Sequence, residues 1–172
     1  MGILSGNPQK EPMHYGEVFS VWSYIASTKG LVAAYQTLVN HTGDQDLREY
    51  LNDAIRTMKE EIEQTENVLK ANGVALPPTP PERPAASVES IPAGARFNDA
   101  ETAIAVGRDL AVGMVACSQV IGQSVREDIA MMFGQFHTTK AQFALSLLRL
   151  TKEKGWLVPP PLHLLTPETV HT

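Results

Sequence analysis

Hydrophobic positions along this chain recur in alternating steps of three and four, the period of an amphipathic helix. Over about residues 12–40 the apolar or small positions are Val18, Val21, Ile25, Thr28, Val32, Tyr35 and Val39. A second segment, about 43–72, sets Leu47, Leu51, Ala54, Met58, Thr65 and Val68 on one stripe, with Glu66 and Lys70 in the favourable i,i+4 order outside it. A third spans about 98–121. A fourth, about 124–154, carries Ile129, Phe133, Phe136, Phe143, Leu147 and Leu150. Pro12 suits a first helical turn, where its missing N–H has no partner to lose. Gly73 and Gly155 suit left-handed helix stops. Capping boxes are predicted at Asn98–Glu101 and Ser124–Glu127, with Thr42–Gln45 a further match. No stretch reads convincingly as a strand.

Residues 74–97 open with Val-Ala-Leu-Pro-Pro-Thr-Pro-Pro-Glu-Arg-Pro, and proline cannot donate to a helix or a central strand. Adjacent antiparallel helices need only about two to eight connecting residues. A helix of ~27 residues is about 40 Å long, a distance that ~24 extended residues can cover. The segment therefore predicts a long crossover between two helical hairpins, the ferritin-like arrangement of a four-helix bundle. The halves also match. Lys70–Pro78 aligns with Lys152–Pro160 at a shift of 82, the step from Gly73 to Gly155, and the same shift sets Asp46 and Leu47 on Asp128 and Ile129. A hairpin repeated about a pseudo-twofold explains agreement at both ends of one helix.

Length and charge narrow the setting. The 172 residues fit a single domain, and the net charge of −5 offers no basic stripe for nucleic acid or an anionic membrane. One cysteine, Cys117, excludes a disulfide framework and sits in an apolar run without ligand-spaced neighbours. The start of the chain lacks the pattern of a secretory signal, and the uncharged run Leu110–Val125 is short for a membrane span, so the expectation is an intracellular protein. No Gly-x-Ser-x-Gly elbow or glycine-rich phosphate loop is present.

Four stretches carry a resemblance: Pro12–Phe19, Leu76–Pro84, Arg126–His137 and Lys154–Pro161. They resemble an uncharacterised family of endospore-forming, Bacillus-like bacteria whose members are described as spore coat proteins, akin to spore coat protein F. The resemblance implies a ferritin-like bundle and a spore setting. It implies no reaction.

A ferritin-like bundle raises the question of a dimetal centre, which takes a Glu from each of two helices and a Glu-x-x-His from each of the others. The sequence carries Glu-x-x-His only at Glu11–His14, at the edge of the first segment, and at Glu168–His171 in the tail, and none within the helical stripes. Its nearest fragments are His14-x-x-Glu17 and Glu61-x-x-Gln64, and the 82-residue shift sets Glu61 on Phe143 and Gln64 on Ser146. No metal or other cofactor is therefore expected, and no enzyme activity. Glu61 nevertheless stands in the core stripe, as Lys140 does on the fourth helix, with His137 nearby. A buried carboxylate must be paired, hydrogen-bonded or protonated. A structural cluster of Glu61 with His137 or Lys140 is the expectation, and a single-metal or small-ligand pocket using Glu61 and His137 is the alternative. For His14 and Glu17, capping or surface placement is expected over ligation.

The third helix carries no charge from Leu110 to Ile121. A helix apolar all round is buried on more than one side. Either the Pro-rich segments cover it or another subunit does. A homodimer is expected, with Gly107, Ala111, Met114 and Val115 as interface candidates and other spore coat proteins as further partners. The Pro-rich tail, 156–172, is a second apolar segment in need of a docking place.

Overall fold

A computed structural model describes residues 11–163. It contains four helices, α1 Tyr15–His41, α2 Gln45–Ala71, α3 Asp99–Gln123 and α4 Glu127–Glu153, and among the described residues there is no strand. The first ten residues and the 164–172 part of the tail lie outside the described residues. Helix α1 packs on α2 and α3 on α4, while the two hairpins meet through α1 against α3 and α2 against α4. The stripes read from the sequence point inward. Val21, Ile25, Leu69, Ile129 and Phe133 fill one end of the core. Val32, Leu47, Leu51, Val106 and Leu147 fill the other.

The 82-residue repeat is written into the backbone. Shifted by 82, the bounds of α2 become those of α4. Gly73 and Gly155 both stop their helices at φ 71°, a conformation that favours glycine. Behind them Val74 N donates to Leu69 O at 3.0 Å and Trp156 N to Thr151 O at 2.9 Å, the same closing bond in each half. The hairpin loops are pinned alike. The Asp99 carboxylate of α3 accepts from Gly43 N and Asp44 N at 3.0 and 3.2 Å. The Glu17 carboxylate of α1 accepts from Val125 N and Arg126 N at 2.8 and 3.0 Å. Donors and acceptors in the two sets correspond residue by residue at the shift of 82. Each hairpin thus caps the other's loop, and α1 runs antiparallel to α3.

Residues 74–97, with short 3-10 turns at Val88–Ser90 and Ala93–Ala95, lie against α1. Trp22 Nε1 donates to Ala75 O and Lys29 Nζ to Pro77 O. Further along α1, Gln36 accepts from Arg83 N, Asn40 bonds Pro84 O and Ala86 N, and His41 accepts from Phe97 N. Prolines leave carbonyls but no N–H to satisfy, and side chains of α1 supply donors to Pro77 O, which is buried, and to Pro84 O.

Helix starts differ from the sequence reading in three places. Helix α1 starts at Tyr15 rather than Pro12, because His14 Nδ1 caps Gly16 N and Glu17 N while Glu17 returns a bond to His14 N. Gly16 permits this, since a Cβ there would stand 2.7 Å from the His14 ring. Helix α2 is capped by Asp44 through Leu47 N, and Thr42 instead donates to Leu38 O. Helix α4 begins at Glu127 with Arg126 as N-cap and no side-chain cap of its own, because Ser124 closes α3 by donating to Val120 O. The Asn98–Glu101 box is present in full.

Candidate functional site

The charged residues that interrupt the core stripes meet at mid-bundle. Lys140 Nζ of α4 lies 2.7 Å from both carboxylate oxygens of Glu61 on α2. Tyr24 OH of α1 donates to Glu61 Oε2 at 2.7 Å, and its ring lies 5.5 Å from the ammonium. Glu61 is only 3% exposed. Gly113 makes the arrangement possible: a Cβ there would stand 3.0 Å from Lys140 Cε, so the lysine stem reaches α2 by passing close beneath α3. A buried carboxylate holds when its oxygens find donors, and here it accepts three bonds. Burial, and after it the neighbouring Glu61 carboxylate, pushes the Tyr24 phenol above its ordinary range. Burial pushes the Cys117 thiol up to about 11, so the lone cysteine is a buried thiol and not a nucleophile at neutral pH.

Above this cluster, α1 and α3 part to leave a cleft of about 550 Å³, mainly apolar in its lining, with Glu61 and Lys140 on its floor. Its walls include Ser20, Ser23, Ser27 and Gly30 from α1, and Asp109, Val112 and Gly113 from α3. The cleft sits on the pseudo-twofold, since positions 27 and 109, 30 and 112, 58 and 140, and 61 and 143 all line it in repeat-related pairs. Burial holds the Asp109 carboxyl above the usual range, partly offset by Arg108 at 3.6 Å.

The other sequence candidates lie elsewhere. His137 is half-buried on α4. Three residues from Lys140, it is turned some 60° around the helix from the stripe that faces Glu61. Lys140, not His137, is the partner of Glu61. His14 and Glu17 cap α1, and Glu17, 1% exposed, is no surface residue: its carboxylate is filled by the backbone N–H groups of His14, Val125 and Arg126. His14 Nε2 donates to Gln123 O at 3.1 Å, tying the start of α1 to the end of α3. Among the described residues no three His, Cys, Asp or Glu side chains gather closely enough to hold a metal ion. The donor set at the cluster does not fit a metal centre, because the Glu61 carboxylate already carries an internal cation in Lys140. Tyr24 escaped the sequence reading, although a tyrosine one turn before Thr28 in the core stripe was the signal.

On α3, Gly107 turns towards α4, where Leu147 Cδ2 lies 3.6 Å from a would-be Cβ. Met114 is half-buried, whereas Ala111 and Val115 are exposed, beside Ile104 and Val112. The Pro-rich segment 74–97 covers α1 and, among the described residues, leaves this face open. By length and composition the stretch that ends at Gln123 is apolar enough to cross a membrane, with mean hydropathy 1.5. In the bundle its inner side packs through Ala103, Val106, Cys117 and Val120.

An all-helical chain of two like hairpins, held by reciprocal caps and centred on a buried acid–lysine–tyrosine cluster, is the class these observations define. The chain belongs to the family described as "Protein of unknown function (DUF3231)", whose model matches residues 1–168. It is 57% identical over 164 residues to the uncharacterised protein YvdQ of Bacillus subtilis, covering 95% of this chain and 96% of that one. Among solved structures it is similar to a "putative spore coat protein" from Bacillus halodurans, with TM-score 0.90 and 55% identity over 92% of this chain and 99% of that one. A conserved hypothetical protein from Mycobacterium tuberculosis shares the fold alone, with TM-score 0.63 and 15% identity over 86% of this chain and 99% of that one.

Proposed function

We propose that this protein is a non-enzymatic structural or interaction component of the spore, built on a ferritin-like bundle with residues 74–97 as its crossover and paired as a homodimer through α3. The open outer face of α3 carries the reading. Lys29, the α1 residue equivalent to Ala111, is 4% exposed beneath the Pro-rich segment, and Ala33, equivalent to Val115, is 8% exposed. Val115 itself is 60% exposed, with Ile104 and Val112 beside it. Apolar faces of this kind are sites of protein contact. The spore coat description of a relative 55% identical supports the setting, and the net charge of −5 favours protein over nucleic-acid or anionic-membrane partners. Lys140 stands where a metal would neutralise the central carboxylate, which supports a bundle without metal chemistry.

Size-exclusion chromatography with light scattering tests the dimer. The wild-type protein is expected at twice the chain mass, and Val115→Arg at the monomer mass with an unchanged helical spectrum. A strictly monomeric wild type would overturn the interface.

A further inference from the structure

We propose that the cleft between α1 and α3 binds a small, uncharged amphiphile, whose single hydrogen-bond acceptor meets Lys140 at the floor. The cleft offers about 550 Å³. Clefts of about 300–1,000 Å³ with apolar walls and few polar groups suit small molecules.

The floor selects the head group. An ammonium has three N–H donors and no acceptor. Two donors of Lys140 go to Glu61, which leaves one for an acceptor in the cleft that Lys140 lines. The Glu61–Lys140 pair is neutral as a unit. A carboxylate or phosphate placed on the same ammonium would sit against Glu61, with Asp109 a second acidic group on the wall. A hydroxyl, ketone or ester oxygen accepts the free N–H without that repulsion.

The α1 wall supplies an independent observation. Gly30 lies inside the helix, where glycine is unfavourable relative to alanine, and nothing stands within 4 Å of a would-be Cβ. Among the described residues no packing requires a glycine there. With Ser23 and Ser27 it forms a low wall that keeps the cleft open.

Nile red, a neutral dye with one ring carbonyl, is the probe, titrated into the full chain and displaced by 1-decanol or by decanoate. The expected result is saturable binding of one dye per chain with a blue-shifted emission. Ser27→Trp and Gly30→Trp each fill the cleft from a solvent-accessible helical position, and either should weaken dye binding at least tenfold with the helical spectrum intact. Decanol should displace the dye at a concentration at least tenfold below decanoate. Absence of saturable binding, or undiminished binding in both tryptophan variants, would overturn the cleft as the site. Equal displacement by decanoate would overturn the uncharged head group.

Discussion

The two hairpins are copies in frame and opposites in filling. Their stops, closing bonds and reciprocal carboxylate caps coincide at a shift of 82. At the centre the copies part: Met58 of the first hairpin corresponds to Lys140 of the second, and Glu61 of the first to Phe143 of the second. Outside they part again, where the Lys29–Glu66 pair of the first hairpin, 2.8 Å apart with the lysine buried and the glutamate half-buried, corresponds to exposed Ala111 and Leu148 in the second. The ends of the helices hold the fold and tolerate little change, because unsatisfied backbone N–H groups are costly wherever they are buried. The middle of the helices is free to be rewritten. In the first hairpin it hooks a Pro-rich segment; in the second it offers an apolar face.

Breaking the central pair should have the largest effect. Lys140→Met leaves Glu61 buried beside Tyr24 alone, and loss of one partner of a buried pair costs about 3–5 kcal/mol. The double variant Glu61→Gln/Lys140→Met removes both charges, and urea unfolding should find it within about 1.5 kcal/mol of wild type. A single variant as stable as the double would mean that the pair is not buried as a unit.

The reciprocal caps should differ in weight. Glu17→Ala strips three backbone N–H groups of one buried carboxylate and should cost about 3 kcal/mol. Asp99→Ala, its repeat mate, frees two less buried N–H groups and should cost about 1 kcal/mol. Equal losses in chemical denaturation would contradict the difference in burial.

Acid should act on the polar flank of each hairpin. Hydrogen bonding to Lys29 holds the Glu66 carboxyl below its ordinary range, and Arg126 does the same for Asp128. A depressed carboxyl stabilises the fold above its unfolded pKa and loses that contribution as pH falls through the folded value. Stability should therefore fall below about pH 4, the ordinary carboxylate range. Lys29→Met should flatten this acid arm in thermal melts between about pH 5 and 2, and an unchanged slope would remove Glu66 from the account. The smallest effect belongs to Gly30→Ala, which should stabilise the protein by roughly 0.5–1 kcal/mol, since it adds a helix former where a Cβ meets nothing.

Much of this frame was legible before the structure. Gly73 and Gly155 with their following prolines marked both helix stops, and the interruptions at Glu61 and Lys140 marked the central pair, because each broke a stripe whose period is local. The capping residues were less legible: Ser124 and Thr42 close the preceding helix instead of opening the next, and sequence spacing does not distinguish the two uses of a hydroxyl. The double duty of Glu17 had no local signature, since its second set of donors is 108 and 109 residues away. The cleft depends on the separation of two helices that are not neighbours in the chain. Its trace in the sequence is the run of small residues Ser20, Ser23, Ser27 and Gly30 on one side of α1.

Metal content tests most directly whether the centre of this bundle is closed by its own ammonium. Tag-free protein would be incubated with iron, manganese or zinc, desalted and assayed by plasma mass spectrometry. With Lys140 held by both oxygens of Glu61, no metal should be retained above the level of a buffer control. Retention near one ion per chain would contradict the internal pair and return Glu61 to the role of a ligand.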